Sequence, residues 1–288
     1  MWVAKLDVEE TSRPVRPGPP GPTIFWARWG PLSRLIASAL KPRHPPVLIL
    51  SLARSGSSWV GDMLGSAPDA LYLREPLTQG HHAITSRVVF DPDTDHDLEP
   101  LARRLADKAF LGWPDFGPQV VRLPGNWALR GRRGRRVVVK EVNPSACAWY
   151  LRRYRPRVIF LLRHPAAVAM SSQKQGWLGP TVDAWARRGL EDASALRQAR
   201  DVLKDYPDAQ TVFFESLCND PLRGFRTLFD FAGLTWTDWA AETVREYSHD
   251  SPRRIDAWRA DTTPDALKAL REGYRTLQLE WYQGDKEW

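Results

Sequence analysis

The sequence predicts an α/β protein: a single domain with a central parallel sheet flanked by helices, of the P-loop, nucleotide-binding type. Three observations predict it. Apolar, β-branched runs alternate with helical patterns along the chain, as strands buried on both faces of a sheet require. One such run, Val47 to Leu52, breaks into the small-residue stretch Ala53-Arg54-Ser55-Gly56-Ser57-Ser58 ahead of Trp59. That is the layout of a loop whose backbone N–H groups and following helix N-terminus face an anion. The 288 residues are 43% hydrophobic and 26% charged, an ordinary balance for a globular protein with an ample core.

Residues 1–45 read as an extended N-terminal arm, rich in proline and glycine from Arg13 to Pro22. It carries a short amphipathic helix between Trp26 and Leu40. Leu32, Leu35, Ile36 and Leu40 share one face of it, and the expectation is that this face packs against the domain edge rather than a membrane. Residues 46–288 form the domain. Its first strand is Val47–Leu52 and its first helix Ser58–Gly65. A short second strand, Leu71–Leu73, ends at Arg74-Glu75-Pro76, and residues 78–97 read as loop. Helix follows from Leu98 to Leu111. The tract Gly131-Arg132-Arg133-Gly134-Arg135-Arg136 reads as an exposed turn before the buried strand Val137–Lys140. A helix from Ser145 to Tyr154 leads to the apolar strand Val158–Leu162, and Arg163-His164-Pro165 then opens a helix through Ser172. Helix is expected over Thr181–Leu203 and Asp220–Ala232, strand over Thr211–Phe214, and irregular chain over 248–263.

The formal charge is +7, and only eight of the 41 basic residues are lysine. Arginine forms forked contacts with phosphate and sulfate; a plain compositional bias accounts for the excess equally well. The basic residues do not interleave with aromatics as an RNA-binding sheet requires, so nucleic acid is not an expected partner. Cys147 and Cys218 lie far apart, in no metal-binding or redox spacing. No leader pattern or bilayer-spanning apolar run is seen. The expectation is a cytoplasmic protein.

The phosphate loop departs from the nucleoside-triphosphate pattern G-x-x-x-x-G-K-[ST]. Gly56 keeps the second glycine, Ser57 stands where the lysine belongs, and the basic residue moves upstream to Arg54. A loop without that lysine is poorly suited to a γ-phosphate and its magnesium. It suits a 5′-phosphate whose transferring group lies beside an arginine. In an open α/β sheet ligands bind beyond the carboxyl ends of the strands. Arg163 follows another strand there, and Ser171, two turns along the next helix, shares its face. Arg163 with Ser171 makes a clamp for a second phosphate.

These segments resemble the sulfotransferases that use 3′-phosphoadenosine 5′-phosphosulfate (PAPS). Leu52 to Trp59 is similar to their 5′-phosphosulfate loop, so Arg54, Ser55, Gly56, Ser57, Ser58 and Trp59 are expected to hold the donor. Val158 to Ser172 is similar to their 3′-phosphate motif, with Arg163 and Ser171 in its two key places. Phe214-Glu215-Ser216-Leu217 and the helix through Leu234 resemble the family's "YEDL…DP…LFDFLGL" segment, with Phe214 in place of the tyrosine near the adenine. The matches occur in family order over residues 47–234. Arg54 instead of lysine, and Glu75-Pro76-Leu77, resemble the carbohydrate-sulfotransferase branch. His164 stands where the family often has aspartate.

The resemblance implies sulfuryl transfer from PAPS to a hydroxyl of a carbohydrate or sugar-bearing natural product, with PAP as product and no metal. Arg54 would stabilise charge on the leaving phosphate. Glu75, matching the family's "EP" glutamate, is the first candidate for general base; the alternative is a salt bridge to Arg74 or another arginine. His81 and His82 are further candidates. Lys140 would touch the sulfate or support Glu75, or else pair with Glu141. Ser251, Arg253 and Arg254 are placed to close over the 3′-phosphate or adenine, or form a solvated turn. Trp113, Trp127 and Trp177 are candidate platforms for the acceptor, or packing residues. A magnesium-dependent phosphotransferase and a non-catalytic binder of anionic polymers, using the Gly131–Arg136 tract, are the competing readings.

Overall fold

A computed structural model describes residue 26, residues 29–85, residue 90 and residues 96–248, 255–284 and 287–288. Five parallel strands form one sheet, β1 (Val47–Ser51), β2 (Ala70–Arg74), β3 (Arg136–Glu141), β4 (Arg157–Leu162) and β5 (Ala209–Phe213), in the order β2-β3-β1-β4-β5. The helices are α1 (Pro31–Ala39), α2 (Ser57–Gly65), α3 (Pro76–Thr85), α4 (Glu99–Phe110), α5 (Cys147–Tyr154), α6 (Pro165–Lys174) and α7 (Val182–Leu203). After β5 come α8 (Phe214–Asn219), α9 (Pro221–Ala232), α10 (Asp238–Ser248), α11 (Trp258–Asp261) and α12 (Pro264–Arg275).

All five residues of β1 are buried. Alternation of side chains sends Leu48 and Leu50 into one core, with Leu73, Phe160, Trp149 and Leu196. Val47 and Ile49 enter the core on the other face, with Val60, Tyr72, Phe225 and Phe229. Two cores explain why the strands read as continuous apolar runs rather than alternating ones. β1 lies between β3 and β4, with Ile49 level with both Lys140 and Ile159. The chain passes from β1 to β2 and β3 on one side and then crosses to β4 and β5 on the other, so the carboxyl end of β1 is the switch point where ligands of such sheets bind.

Several expectations are corrected. Residues 76–85 are helical, where loop was expected from 78 onward. The last strand starts and ends earlier than Thr211–Phe214, and Phe214 opens α8. The basic tract before β3 is not a free turn. Arg132 is 1% exposed, donates to the Leu111 and Gly112 carbonyls, and lies over the Trp26 ring at 5.2 Å. Arg136 is buried and donates to the Pro45 carbonyl at 2.6 Å. Two of the tract's arginines therefore serve the fold and are not available to a polymer. Finally, α1 packs through Ser33 and Ala37, both 0% exposed, while Leu32 and Leu35 point outward.

Candidate active site

The loop after β1 is built for close approach. Gly56, the residue before α2, has φ +86°, a left-handed conformation that costs glycine little. A Cβ there would lie 2.4 Å from the Phe214 ring. α2 begins at Ser57, and its first ladder bond runs from the Val60 N–H to the Gly56 carbonyl at 3.2 Å. Leading N–H groups of a helix lie outside the helical ladder and are suited to an anion. Ser55 and Ser57 are buried, and Ser58 and Trp59 are half-buried around the same turn.

Three sequence candidates meet at this loop. Arg54 is also left-handed, at φ +70°, a strained region for a residue with a Cβ. The Arg163 guanidinium donates to the Arg54 carbonyl at 2.9 Å, and Arg54 Nε donates to Ser171 Oγ at 2.9 Å. The strained turn is thereby held from α6 and from the end of β4. Arg163 also lies over the Phe214 ring, 4.4 Å from its centroid, and Trp59 meets Phe214 edge-on at 5.7 Å. Phe214 is a buried wall beneath the loop. On its other side Arg54 lies 5.7 Å from the ring of Trp177, which is 50% exposed. The Trp177 N–H donates to the Ser172 carbonyl at 3.0 Å, and Gly176 at φ +72° makes the turn that ends α6.

A second group lies at the carboxyl ends of β2 and β3. Lys140 is level with Arg74 and is 2% exposed; its ammonium donates to Glu75 in an ion pair. Glu75 has φ +53°, and its N–H donates to the Lys140 carbonyl at 2.7 Å while Gln79 Nε2 donates to its carboxylate at 3.2 Å. Burial pushes the Glu75 carboxyl up, but the Lys140 charge and hydrogen bond outweigh it and hold the group below the usual glutamate value. Lys140 therefore pairs with Glu75, not with Glu141. Glu141, fully buried, accepts from the Leu77 N–H at 2.7 Å, the Thr78 N–H at 3.3 Å and the Thr78 hydroxyl at 2.7 Å, so it caps α3. Burial lifts its carboxyl to about 7 against those bonds. β2 lies two strand spacings, about 10 Å, from β1. Both groups thus lie at the carboxyl edge of the same sheet.

Other candidates go elsewhere. Trp127 is 0% exposed, and its Nε1 donates to the Arg122 carbonyl at 3.2 Å: it is a packing residue. Trp113 lines a cavity beside α1. Ser251, Arg253 and Arg254 lie outside the described residues, as do the side chains of His81 and His82 in α3. The sequence reading missed the brace behind Arg163. The His164 N–H donates to Glu215 at 2.9 Å, the Tyr282 hydroxyl donates to the same carboxylate at 2.9 Å, and the His164 ring stacks on Trp258 at 4.6 Å. The only signal was the acid following the last strand.

A parallel sheet whose switch-point strand ends in a glycine loop and a helix N-terminus defines a P-loop α/β protein. The model of the sulfotransferase family matches residues 45–238, more than half of the chain, and the chain belongs to that family. Carbohydrate sulfotransferase 5 of Homo sapiens is 28% identical over 270 residues, covering 71% of this chain and 65% of the human protein; the chain spans less than two thirds of that relative. The sulfotransferase domain of the Synechococcus PCC 7002 olefin synthase shares the fold, with a TM-score of 0.50 at 19% identity, covering 80% of this chain and 94% of that one.

Proposed function

We propose that this protein moves a sulfuryl group from PAPS to a hydroxyl of a carbohydrate or sugar-bearing natural product and releases PAP. The observation that carries this is the Arg54–Ser171–Arg163 cluster around a phosphate loop that lacks the nucleoside-triphosphate lysine. Membership of the sulfotransferase family supports it. The α2 N-terminus and Arg54 receive the 5′-phosphosulfate, and Arg163 with Ser171 receives the 3′-phosphate. The buried Phe214 ring and the half-buried Trp59 ring form the adenine side.

In the reaction the acceptor oxygen bonds to sulfur as the bond from sulfur to the bridging phosphate oxygen breaks. The electron pair leaves with PAP, where Arg54 and the loop N–H groups meet the new charge. Glu75, kept ionised by Lys140, takes the hydroxyl proton. Trp177 offers an accessible ring beside Arg54 on which a sugar face stacks. The 28% identical human carbohydrate sulfotransferase supports the sugar acceptor. We further place the arm at residues 1–45 and the catalytic domain at 46–288, the family match starting at residue 45. We also propose a cytoplasmic setting, in which the buried Cys147 and Cys218 remain thiols.

The test is PAP release from PAPS across a panel of saccharides, with calorimetric binding of PAP. Arg54→Ala and Arg163→Ala each lose donor binding and, for one lost donor to the charge, roughly 100- to 1,000-fold in turnover. Magnesium-dependent ATP turnover, or neither PAP binding nor release, overturns the proposal.

A further inference from the structure

Helix α1 is mounted with its small residues inward and its large ones outward. Ser33 and Ala37 face the protein at 0% exposure, whereas Trp29, Leu32 and Leu35 are 41%, 57% and 66% exposed. Leu32 and Leu35, three apart on α1, share one side of it as a stripe, and Trp29 stands just ahead of the turn at Gly30 that opens the helix. They are three of the seven large hydrophobic side chains exposed among the described residues.

The mounting is firm. The Ser33 hydroxyl donates to the Trp26 carbonyl at 2.5 Å, Trp26 Nε1 donates to the Trp127 carbonyl at 2.9 Å, and the Arg133 guanidinium donates to the Ala39 carbonyl at 2.9 Å. The stripe is presented by the domain and is not the loose end of a frayed helix.

Its surroundings are cationic. Arg34, Lys41, Arg43 and Arg133 are exposed on or beside α1, and the helix itself holds no acidic residue. Across a cavity of about 570 Å³, bounded by Pro31, Arg34, Leu35, Ser38 and Trp113, the one acid is Asp115. It is already answered by Lys108 at 3.1 Å.

We propose that α1 docks on an anionic lipid bilayer, lying in the plane of the interface. Trp29, Leu32 and Leu35 enter the headgroup boundary, and Arg34, Lys41, Arg43 and Arg133 meet lipid phosphates. An apolar stripe flanked by cations is the chemistry of an interfacial helix, and an aromatic suits the boundary itself. Each cation near an anionic leaflet adds about fivefold in affinity. A protein partner fits less well: nine residues of helix span about 14 Å, far short of the 20 to 30 residues a side in a standard interface. An anionic polymer has no use for exposed leucines. No described helix is long and apolar enough to cross a membrane, and none is needed for this mode.

The test is co-sedimentation of the full chain with phosphatidylcholine vesicles, with and without phosphatidylglycerol. We expect binding to the anionic vesicles only, weakened by raised salt. The double variant Leu32→Ser with Leu35→Ser should lose roughly tenfold or more in partition while keeping its melting temperature and PAP binding. Equal binding to both vesicle types, or a double variant that partitions like the parent, overturns the proposal. So does a double variant that changes only the oligomeric state. Heparin retention that the double variant leaves intact, without vesicle binding, overturns it in favour of a polymer.

Discussion

Glu75 and Lys140 show how two side chains set one another's chemistry. Lys140 is nearly sealed from solvent, and Glu75 is the partner of its ammonium. An unpaired ammonium at that depth would cost several kcal/mol, so the pair is mutually required. The same contact keeps Glu75 below the ordinary glutamate value, and the carboxylate is ionised at neutral pH. It accepts a proton but is a weak base, so it acts late, when the attacking oxygen has begun to bond to sulfur and its proton has become acidic. Glu75→Gln removes the proton acceptor and keeps an oxygen for Lys140. We expect turnover to fall by about 100- to 10,000-fold with PAP affinity changed only a few-fold. Single-turnover kinetics and calorimetry on one preparation separate the two quantities. A variant with the parent's rate would remove Glu75 from the proton path.

The junctions between strands and helices are where elements become a site. Between β1 and α2 the chain passes through two consecutive demands, left-handed Arg54 and left-handed Gly56. Gly56→Ala meets both a backbone penalty of about 1 kcal/mol or more and the Phe214 ring. We expect PAP affinity to drop by tenfold or more, and the same substitution to cost less in a Phe214→Ala background, where the steric part is gone although the adenine side is itself weakened. Calorimetry on the four proteins of the cycle reads this directly, and a single variant with parent affinity would show the turn to be tolerant. Elements such as β1, β4 and α6 were legible because an apolar run followed by small residues or Pro165 fixes their ends locally. α3 was not. Its sequence holds Pro76, Gly80, Thr78 and two histidines, poor helix formers, and its start is capped by Glu141, which lies 64 positions after Leu77. Arg54, Arg163 and Ser171 were legible as residue types at strand ends. The Arg54–Ser171 bond was not, since no local spacing reports a contact between positions 117 apart.

At the scale of the whole molecule, the last described stretch of chain closes over the turn after β4. Trp258 stacks on His164 at 4.6 Å, and Tyr282 and Trp288 approach its edges at 5.1 and 4.9 Å. The Trp288 indole donates to the Tyr282 carbonyl at 2.8 Å, and α7 and α12 approach so closely that a Cβ on Gly189 would lie 2.2 Å from the Leu270 carbonyl oxygen. Within this cage burial, then the charge of Arg259 and that of Arg163, outweigh the Glu287 carbonyl and Asp256, and lower His164 to about 4. Below pH 6.5 the unfolded chain therefore binds a proton there that the folded chain refuses until about pH 4. Stability from this group is complete above 6.5 and is lost as pH falls through that window, by roughly 3 kcal/mol in full. Glu141 titrates oppositely. Its folded value near 7 lies above 4.5, so it loses a comparable amount as pH rises through the same range. The two slopes offset each other, and their combined contribution to the parent profile is flat. The contribution of His164 emerges in a difference. His164→Asn keeps an acceptor for the Ala166 N–H, loses the stacking, and does not titrate. Urea unfolding should find it clearly less stable than the parent at neutral pH. That deficit should shrink by about 3 kcal/mol between pH 7 and pH 4 as the parent alone meets the cost of an uncharged histidine. A deficit constant across the range would mean that the cage admits the charged ring, and that the turn bearing Arg163 is not tied to the proton uptake of His164.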